Sequence, residues 1–145
     1  MQETHFLVVP PSEHQSSRPS LDDDRLTYRA WSILNEQTLG VSMQVGVIEL
    51  RERGSKCPSH YHTSTQELQY ILSGTGVVRD AHGHEFRVEP HTAIYCGSGP
   101  ESAHEFENTG PYPLVILFVH PIVDGQSPDF LFADQASLTT SEHHP

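Results

Sequence analysis

Short apolar runs separated by turn residues recur through most of this chain, and this pattern limits the fold more than any other feature. Val41, Met43, Val45 and Val47 alternate with small or polar residues. Such alternation, with a period of two, is typical of a strand that has one buried face. No helical stripe of apolar residues interrupts the pattern. The sequence therefore predicts an all-β sandwich or barrel.

Other strands are predicted at regular intervals along the chain. The run from Leu114 to Val119 is apolar on both faces, which predicts a central strand. The segment Asp80-Ala81-His82-Gly83 has the composition of a hairpin turn, which places His82 and His84 on the surface. The remaining strands are predicted over residues 67–72, 76–79, 86–88, 92–96 and 102–106.

The length of 145 residues fits one domain, with a core over about residues 26–121. Residues 10–24 are rich in Pro, Ser and charge and predict a loop or extended arm. Residues 129–133 are expected to be weakly ordered. Residues 134–145, which include His143 and His144, are expected to form a flexible tail.

The net charge limits the partners that the protein is expected to bind. The formal net charge is −11, from 19 acidic and 8 basic residues. Nucleic acids and anionic membranes need a cationic surface, so neither is an expected partner.

The apolar run at residues 6–9 is too short to span a membrane, and no export signal is visible, which leads us to expect a cytoplasmic protein. Cys57 and Cys96 are then expected to be reduced thiols, and Asp22-Asp23-Asp24 a solvated segment.

A candidate metal site lies in the middle of the chain. On a strand, His60 and His62 point to the same side, with Cα atoms about 7 Å apart. The polar stretch Thr63-Ser64-Thr65-Gln66 predicts a turn that could return Glu67 to the same point. His104, on a later predicted strand, is a fourth candidate ligand. Imidazoles and a carboxylate suit Zn, Fe, Mn, Ni or Cu, and the ligand types alone do not choose among them.

These residues resemble the first and second motifs of the cupin superfamily. Gly54, His60, His62, Glu67 and Gly74 match every position of the first motif, and His104 with Asn108 matches the end of the second. The resemblance implies a double-stranded β-helix, or jelly roll, that holds a metal ion with His60, His62, Glu67 and His104. The second motif departs from the family pattern, since His91 stands near a usual Gly and Gly99-Pro100-Glu101 replaces P-x-G. His91 therefore remains open as an additional or replacement ligand.

Within the superfamily, the stretches around His60 and Tyr70-Ile71-Leu72-Ser73-Gly74 resemble the small single-domain cyclases of aromatic polyketide pathways, of the resistomycin type. This resemblance implies aldol-type ring closure of a hydrophobic polyketide, catalysed at His60, His62, Glu67 and His104. It also implies Zn, with Fe, Mn or Ni as alternatives, and a homodimer.

An acyl carrier protein is a possible further partner, because Arg25, Arg29, Arg51, Arg53 and Lys56 could form a basic patch. Two alternative functions stay open. One is an Fe-dependent cupin dioxygenase acting on a small aromatic or keto substrate, and the other is a non-catalytic module that binds small molecules.

Five apolar or aromatic residues are candidates for the wall of the substrate cavity. They come from predicted strands on either side of the motifs, and Phe106 shares a strand face with His104. The candidates are Met43, Val45, Tyr70, Tyr95 and Phe106.

Overall fold

A computed structural model of the protein describes residues 4–17, 28–35 and 39–133. Within these ranges the chain folds into two antiparallel sheets, as the alternating pattern predicts. Two short 3-10 turns, at Pro11–Glu13 and Pro100–Ser102, accompany the strands. The strands are β1 (Gln15–Ser17), β2 (Arg29–Leu34), β3 (Met43–Leu50), β4 (Lys56–Tyr61), β5 (Glu67–Ser73), β6 (Gly76–Arg79), β7 (Glu85–Val88), β8 (Ala93–Cys96), β9 (His104–Asn108), β10 (Leu114–Pro121) and β11 (Leu131–Phe132).

The two sheets have six and five strands. The first has the order β1-β2-β3-β10-β5-β8, and the second has the order β11-β4-β9-β6-β7. Strand β10 lies between β3 and β5, with Leu117 opposite Val47 on one side and Tyr70 on the other. The prediction of a central strand is therefore confirmed. Together the sheets form the β-sandwich expected of a jelly roll.

The core fills the space between the two sheets. Leu50, Ile71, Phe106, Leu114 and Ile116 are fully buried there. Burying a side chain of this size contributes about 1.5–3 kcal/mol, so each of these five residues stabilises the sandwich.

The loop that follows the first motif depends on a glycine. Gly74 has a φ of +82°, and a Cβ at this position would lie 2.2 Å from the carbonyl oxygen of Pro113. Only glycine fits where the backbone is both left-handed and this close to a neighbouring strand. Nearby, the buried side chain of Asn108 donates hydrogen bonds to the carbonyl oxygens of Leu50 and Tyr112, at 2.8 and 2.9 Å. The motif residues Gly74 and Asn108 thus fix loops rather than contribute chemistry.

The N-terminal arm is more ordered than its composition suggested. Strand β1 pairs with β2, with Ser16 opposite Trp31. Backbone hydrogen bonds hold such an edge strand, so it needs no apolar alternation. The weakly ordered segment expected at 129–133 likewise includes β11, which pairs with β4. Asp22-Asp23-Asp24, Arg25, His143, His144 and the tail over 134–145 lie outside the described residues.

Among the described residues, no helix has the length and apolar character needed to cross a membrane.

Candidate metal centre

Three histidines of the centre come from the five-stranded sheet. His60 lies near the end of β4, and His62 follows directly after that strand. His104 is the first residue of β9 and lies opposite His60 in the pairing of the two strands. The register shifts between Cys57 and His60, where Pro58 cannot donate a ladder hydrogen bond. The pairing of β4 with β9 and the register shift together bring the three imidazoles to one point.

Glu67 reaches the same point from the opposite sheet. It is the first residue of β5, so the turn after His62 carries the chain from one sheet to the other. Its Oε1 atom lies 2.9 Å from Nε2 of His104 and 3.7 Å from Nε2 of His62. One ligand atom from each of His60, His62, Glu67 and His104 lies within 4.8 Å of the others. All four residues are at most 5% exposed.

A backbone carbonyl orients each of the three imidazoles. Nδ1 of His60 donates to the carbonyl oxygen of Pro58 at 2.8 Å, and Nδ1 of His104 donates to that of Ser102 at 2.9 Å. Nδ1 of His62 donates to the carbonyl oxygen of Asp129. A neutral imidazole with its proton on Nδ1 has a lone pair on Nε2, and this arrangement is the usual one for a histidine that binds metal.

The Nε2 atoms of His62 and His104 make the strongest case for a metal. Both atoms are buried, and neither makes a well-aligned hydrogen bond to a described residue. An unsatisfied buried polar atom costs about 1–3 kcal/mol, and a metal ion would remove this cost. The donor set of three nitrogens and one carboxylate oxygen therefore fits a divalent transition metal.

The part of the chain that carries this centre matches a known family. The family model for the cupin domain matches residues 46–120, which is just over half of the chain. The chain is a cupin. Its matched region runs from within β3 to His120 and includes all four residues of the centre.

Known proteins similar to this cupin include enzymes of different classes. It is 34% identical over 74 residues to the tetracenomycin polyketide synthase protein TcmJ of Streptomyces glaucescens, over 51% of this chain and 47% of TcmJ. The chain spans about half the length of the curated relatives it matches.

Two solved structures show the same fold. The polyketide cyclase RemF from Streptomyces resistomycificus aligns with a TM-score of 0.68 at 15% identity, over 88% of this chain and 85% of RemF. A predicted oxalate decarboxylase from Thermotoga maritima aligns with a TM-score of 0.66 at 26% identity, over 81% of this chain and 100% of that protein.

The structure adds His120 to the centre, a residue that the sequence analysis missed. His120 lies on β10, and its Nε2 atom is 2.7 Å from Oε2 of Glu67. The predicted strand stopped at Val119, yet alternation continues one residue further. Leu114, Ile116, Phe118 and His120 all face inward, which was the signal available in the sequence.

The electrostatics of the centre keep Glu67 ionised. Burial raises the pKa of this carboxyl, but the neighbouring imidazoles of His104, His120 and His62 outweigh burial and hold the pKa well below its usual value. Burial and the neighbouring His104 lower the pKa of His60 well below its usual value. Burial also lowers the pKa of His104, but interactions with Cys96 and Glu67 raise it to about 10 in the metal-free protein.

Cys57 lies beside the centre as an inert thiol. Its Sγ atom is 3.8 Å from Nδ1 of His60, and the residue is 1% exposed. Burial, followed by the charges of Glu67 and Glu105, raises its pKa far above the usual range. A thiol that stays protonated is neither a good nucleophile nor a metal ligand.

A cavity of about 150 Å³ adjoins the centre, and His60, His62 and Glu67 line it together with His120. One side of the cavity is polar and consists of histidines and Glu67, and the other side is mainly apolar and aromatic. Among the described residues that line it there is no Lys or Arg. The apolar and aromatic side consists of Tyr28, Ala30, Ile48, Phe118, Pro128 and Phe130.

The five cavity residues predicted from the sequence do not line this cavity. Met43 and Val45 lie on the outer face of β3, because Gln44 and Ile48 face inward. Tyr70 and Tyr95 also lie on the outer face of the six-stranded sheet. Side chains alternate between the two faces along β5, so Leu68 and Tyr70 point away from the face of Glu67, and Tyr95 pairs with Leu68. Phe106 faces inward but is fully buried in the core.

His91 lies away from the metal centre. It is exposed in the turn before β8, with a φ of +75°, and its Nδ1 atom is 2.7 Å from the hydroxyl of Tyr70. The residue that the structure brings to His60, His62 and His104 is therefore Glu67 and not His91.

Proposed function

We propose that this cupin is a metal-dependent cyclase that closes rings in a keto-bearing carbon chain of the polyketide class, with Zn as the resident metal. The observation that carries the proposal is the cavity, in which a cluster that could hold a metal ion faces an apolar wall with no Lys or Arg among the described lining residues. Sugar phosphates and dicarboxylates need cations for recognition, whereas a neutral poly-ketone does not. The likeness to TcmJ and RemF supports the same substrate class.

The reaction would be an intramolecular aldol condensation. A methylene C–H bond between two carbonyl groups breaks, its carbon forms a C–C bond to a third carbonyl carbon, and the oxygen of that carbonyl takes up a proton. This hydroxyl then leaves with the second methylene proton as water, so no electrons enter or depart. A divalent metal bound at His60, His62, Glu67 and His104 would supply Lewis acidity to a ketone oxygen. Phe118, Phe130 and Ile48 would restrict the chain to one productive fold, which lowers the entropic part of the barrier.

The cavity volume sets how much of a substrate can enter. About 150 Å³ is below the roughly 300–1,000 Å³ of common ligand sites. The described cavity therefore has room for the reacting end of a chain, and the remainder would extend beyond these residues.

The same volume favours one other candidate, an Fe-dependent dioxygenase acting on a small aromatic or keto substrate. A single aromatic ring fits this space more readily than a long chain does. The two functions differ in their need for O2, because ring closure by aldol chemistry consumes none.

The experiment combines elemental analysis with an anaerobic assay. Purified protein is analysed for metal, stripped with a chelator and reloaded with Zn or Fe(II), and each form is incubated with a linear poly-ketone thioester. The cyclase predicts that Zn restores ring closure without O2. Full activity after complete metal removal would overturn the proposal, and activity restored only by Fe(II) with O2 would favour the dioxygenase.

We also propose that the substrate arrives free rather than on an acyl carrier protein. Two of the basic residues considered for docking, Lys56 and Arg51, face acidic neighbours. The ammonium of Lys56 lies 3.9 Å from Glu105 and 3.8 Å from Glu107, and Arg51 pairs with Glu49 at 2.9 Å. Such pairing neutralises the positive charge that an acidic carrier protein would require.

For the oligomeric state, we propose a homodimer that packs through the outer face of the six-stranded sheet. The register places uncharged residues side by side across five strands of this face. The solvated face of an antiparallel sheet is usually polar, and a chain with a charge of −11 meets its own copy most easily at an uncharged surface. These uncharged residues form two rows across the strands. One row is Trp31, Val47, Leu117, Tyr70 and Ala93, and the other row is Leu34, Val45, Val119, Leu68 and Tyr95.

A further inference from the structure

His120 differs from the other three histidines of the centre in which of its two ring nitrogens is held by a neighbouring residue. Its Nε2 atom lies 2.7 Å from Oε2 of Glu67, and both residues are 3% exposed. An ionised carboxylate can only accept hydrogen bonds, so Nε2 of His120 carries a proton, and a neutral ring with that proton has none on Nδ1. In His60, His62 and His104 the anchored atom is Nδ1 instead. His120 therefore presents the opposite tautomer.

This tautomer leaves Nδ1 of His120 as a hydrogen-bond acceptor. The atom is buried and has no hydrogen-bond partner among the described residues. His120 also lines the cavity, next to Phe118 and Gln44. A buried acceptor beside a cavity is satisfied when a ligand brings a hydroxyl group to it.

Glu67 is held from two sides. The amide nitrogen of Gln69 donates to Oε1 at 2.7 Å, while His120 donates to Oε2. Oε1 is also the oxygen that faces His104 and His62. The bond from His120 thus keeps the second oxygen occupied and turns the first toward the metal position.

We propose that His120 is a positioning residue for Glu67 and, through Nδ1, the acceptor for an enol or phenol hydroxyl of the bound molecule. The first role rests on the metal centre of the proposed function, and the second rests on the cavity alone. The ligand class is a neutral, mainly apolar molecule that carries at least one hydroxyl group.

Two substitutions separate the roles of the two ring nitrogens. In His120→Gln the amide nitrogen can take the place of Nε2, and in His120→Asn the amide oxygen can take the place of Nδ1. His82→Gln and His82→Asn are matched controls, because His82 is exposed on the β6–β7 hairpin. Thermal unfolding followed by circular dichroism shows that each variant is folded before it is used.

The first measurement is the affinity of metal-free protein for Zn, by competition with a chromophoric chelator. Loss of a residue that orients a metal ligand costs roughly 10–100-fold in metal affinity. We expect this loss in His120→Asn and a much smaller one in His120→Gln. Wild-type affinity in His120→Asn, or equal losses in both variants, would overturn the positioning role. Failure of the wild-type protein to bind Zn would instead overturn the metal centre.

The second measurement compares 2-naphthol with 2-methylnaphthalene, which has a methyl group in place of the hydroxyl. Binding is measured by titration calorimetry with metal-free protein, so that the hydroxyl has no ion to bind. We expect the preference for 2-naphthol to fall roughly tenfold in His120→Gln and to persist in His120→Asn. An unchanged preference in His120→Gln would overturn the role of Nδ1, whatever the result with Zn.

Discussion

Asp129 is hydrogen-bonded to His62 across 67 residues of sequence, and its backbone and side chain have different partners. The carbonyl oxygen accepts from Nδ1 of His62, while the carboxylate accepts from the backbone amides of Thr63 and Ser64 and from both of their hydroxyls. The segment before β11 thereby holds the loop that follows the H-x-H motif. The ring of His62 is fixed as a consequence.

Asp129→Ala is expected to weaken Zn binding by roughly tenfold, the lower end of the range for partners of metal ligands. The substitution keeps the backbone carbonyl but removes the side chain that holds it near His62. Asp129→Asn is the matched control, since its amide oxygen retains the bonds to Oδ1. The measurement is chelator competition, and equal affinities for Asp129→Ala and the wild type would contradict the prediction.

The stabilising contribution of Asp129 should disappear in acid. Burial raises the pKa of this carboxyl, but hydrogen bonds from Thr63 and Ser64 outweigh burial and lower the pKa below its ordinary value. The stabilisation is therefore complete above the unfolded-state pKa of about 3.9 and is lost as the pH falls below that value. Thermal unfolding at pH 7 and pH 3 measures the difference between wild type and Asp129→Asn, which should narrow at pH 3.

Zn binding should release a proton from His104. With a pKa of about 10, this ring is protonated in the metal-free protein at neutral pH, and a metal ligand must be deprotonated. The affinity should therefore rise by roughly tenfold for each pH unit between pH 6.5 and 8.5, below this pKa. Competition titrations at several pH values measure the slope, and calorimetry in buffers of different ionisation enthalpy counts the protons. A slope of zero would show that His104 is not a ligand.

Glu67→Gln should abolish ring closure and lower Zn affinity by more than roughly tenfold, because it replaces a charged ligand and also weakens the bonds to His104 and His120. Glu52→Gln is the control, since Glu52 is exposed. Elemental analysis after gel filtration gives occupancy, and product analysis gives activity. Normal occupancy in Glu67→Gln would remove this residue from the ligand set.

Phe118→Ala should broaden the set of ring-closed products without lowering metal occupancy. The side chain forms part of the apolar wall, so its loss lets the substrate chain adopt additional folds. Phe86→Ala is the matched control, because Phe86 is 55% exposed on β7. Product profiles by liquid chromatography decide the outcome, and an unchanged profile would mean that Phe118 does not select the fold of the substrate.

Leu68→Glu should convert the proposed homodimer to a monomer, because it places a charge in the uncharged rows of the six-stranded sheet. Leu131→Glu is the control, since Leu131 has a similar exposure on the five-stranded sheet, 40% against 45% for Leu68. Sedimentation velocity gives the mass of each variant. A wild-type protein that is itself monomeric would contradict the dimer.

Local patterns located most strands and the four metal-binding candidates, but they did not identify the inner face of β3. The alternating pattern predicts that Met43 and Val45 line the cavity, because apolar residues usually face inward. The true inner face carries Gln44 and Gly46, and a Cβ at Gly46 would lie 2.4 Å from the Phe118 ring. A glycine that makes room for a ring on a neighbouring strand leaves no apolar signal in its own strand.

His120 escaped prediction for a related reason. Its partner Glu67 is 53 residues earlier in the chain, and only the pairing of β10 with β5 brings the two strands side by side. A single histidine after an apolar run has the same local pattern as a solvated strand end. Long-range pairing, which is not encoded in any short window, decides between the two.

The origin of the ligands in two different sheets makes metal occupancy part of the folding equilibrium. His60 and His104 belong to one sheet and Glu67 to the other, so a bound ion would act as a cross-link between the layers. A ligand that binds only the folded state at 1,000 times its dissociation constant adds about 4 kcal/mol to the free energy of unfolding. Melting temperatures measured in the presence of each of several divalent ions would therefore rank those ions by affinity without any substrate.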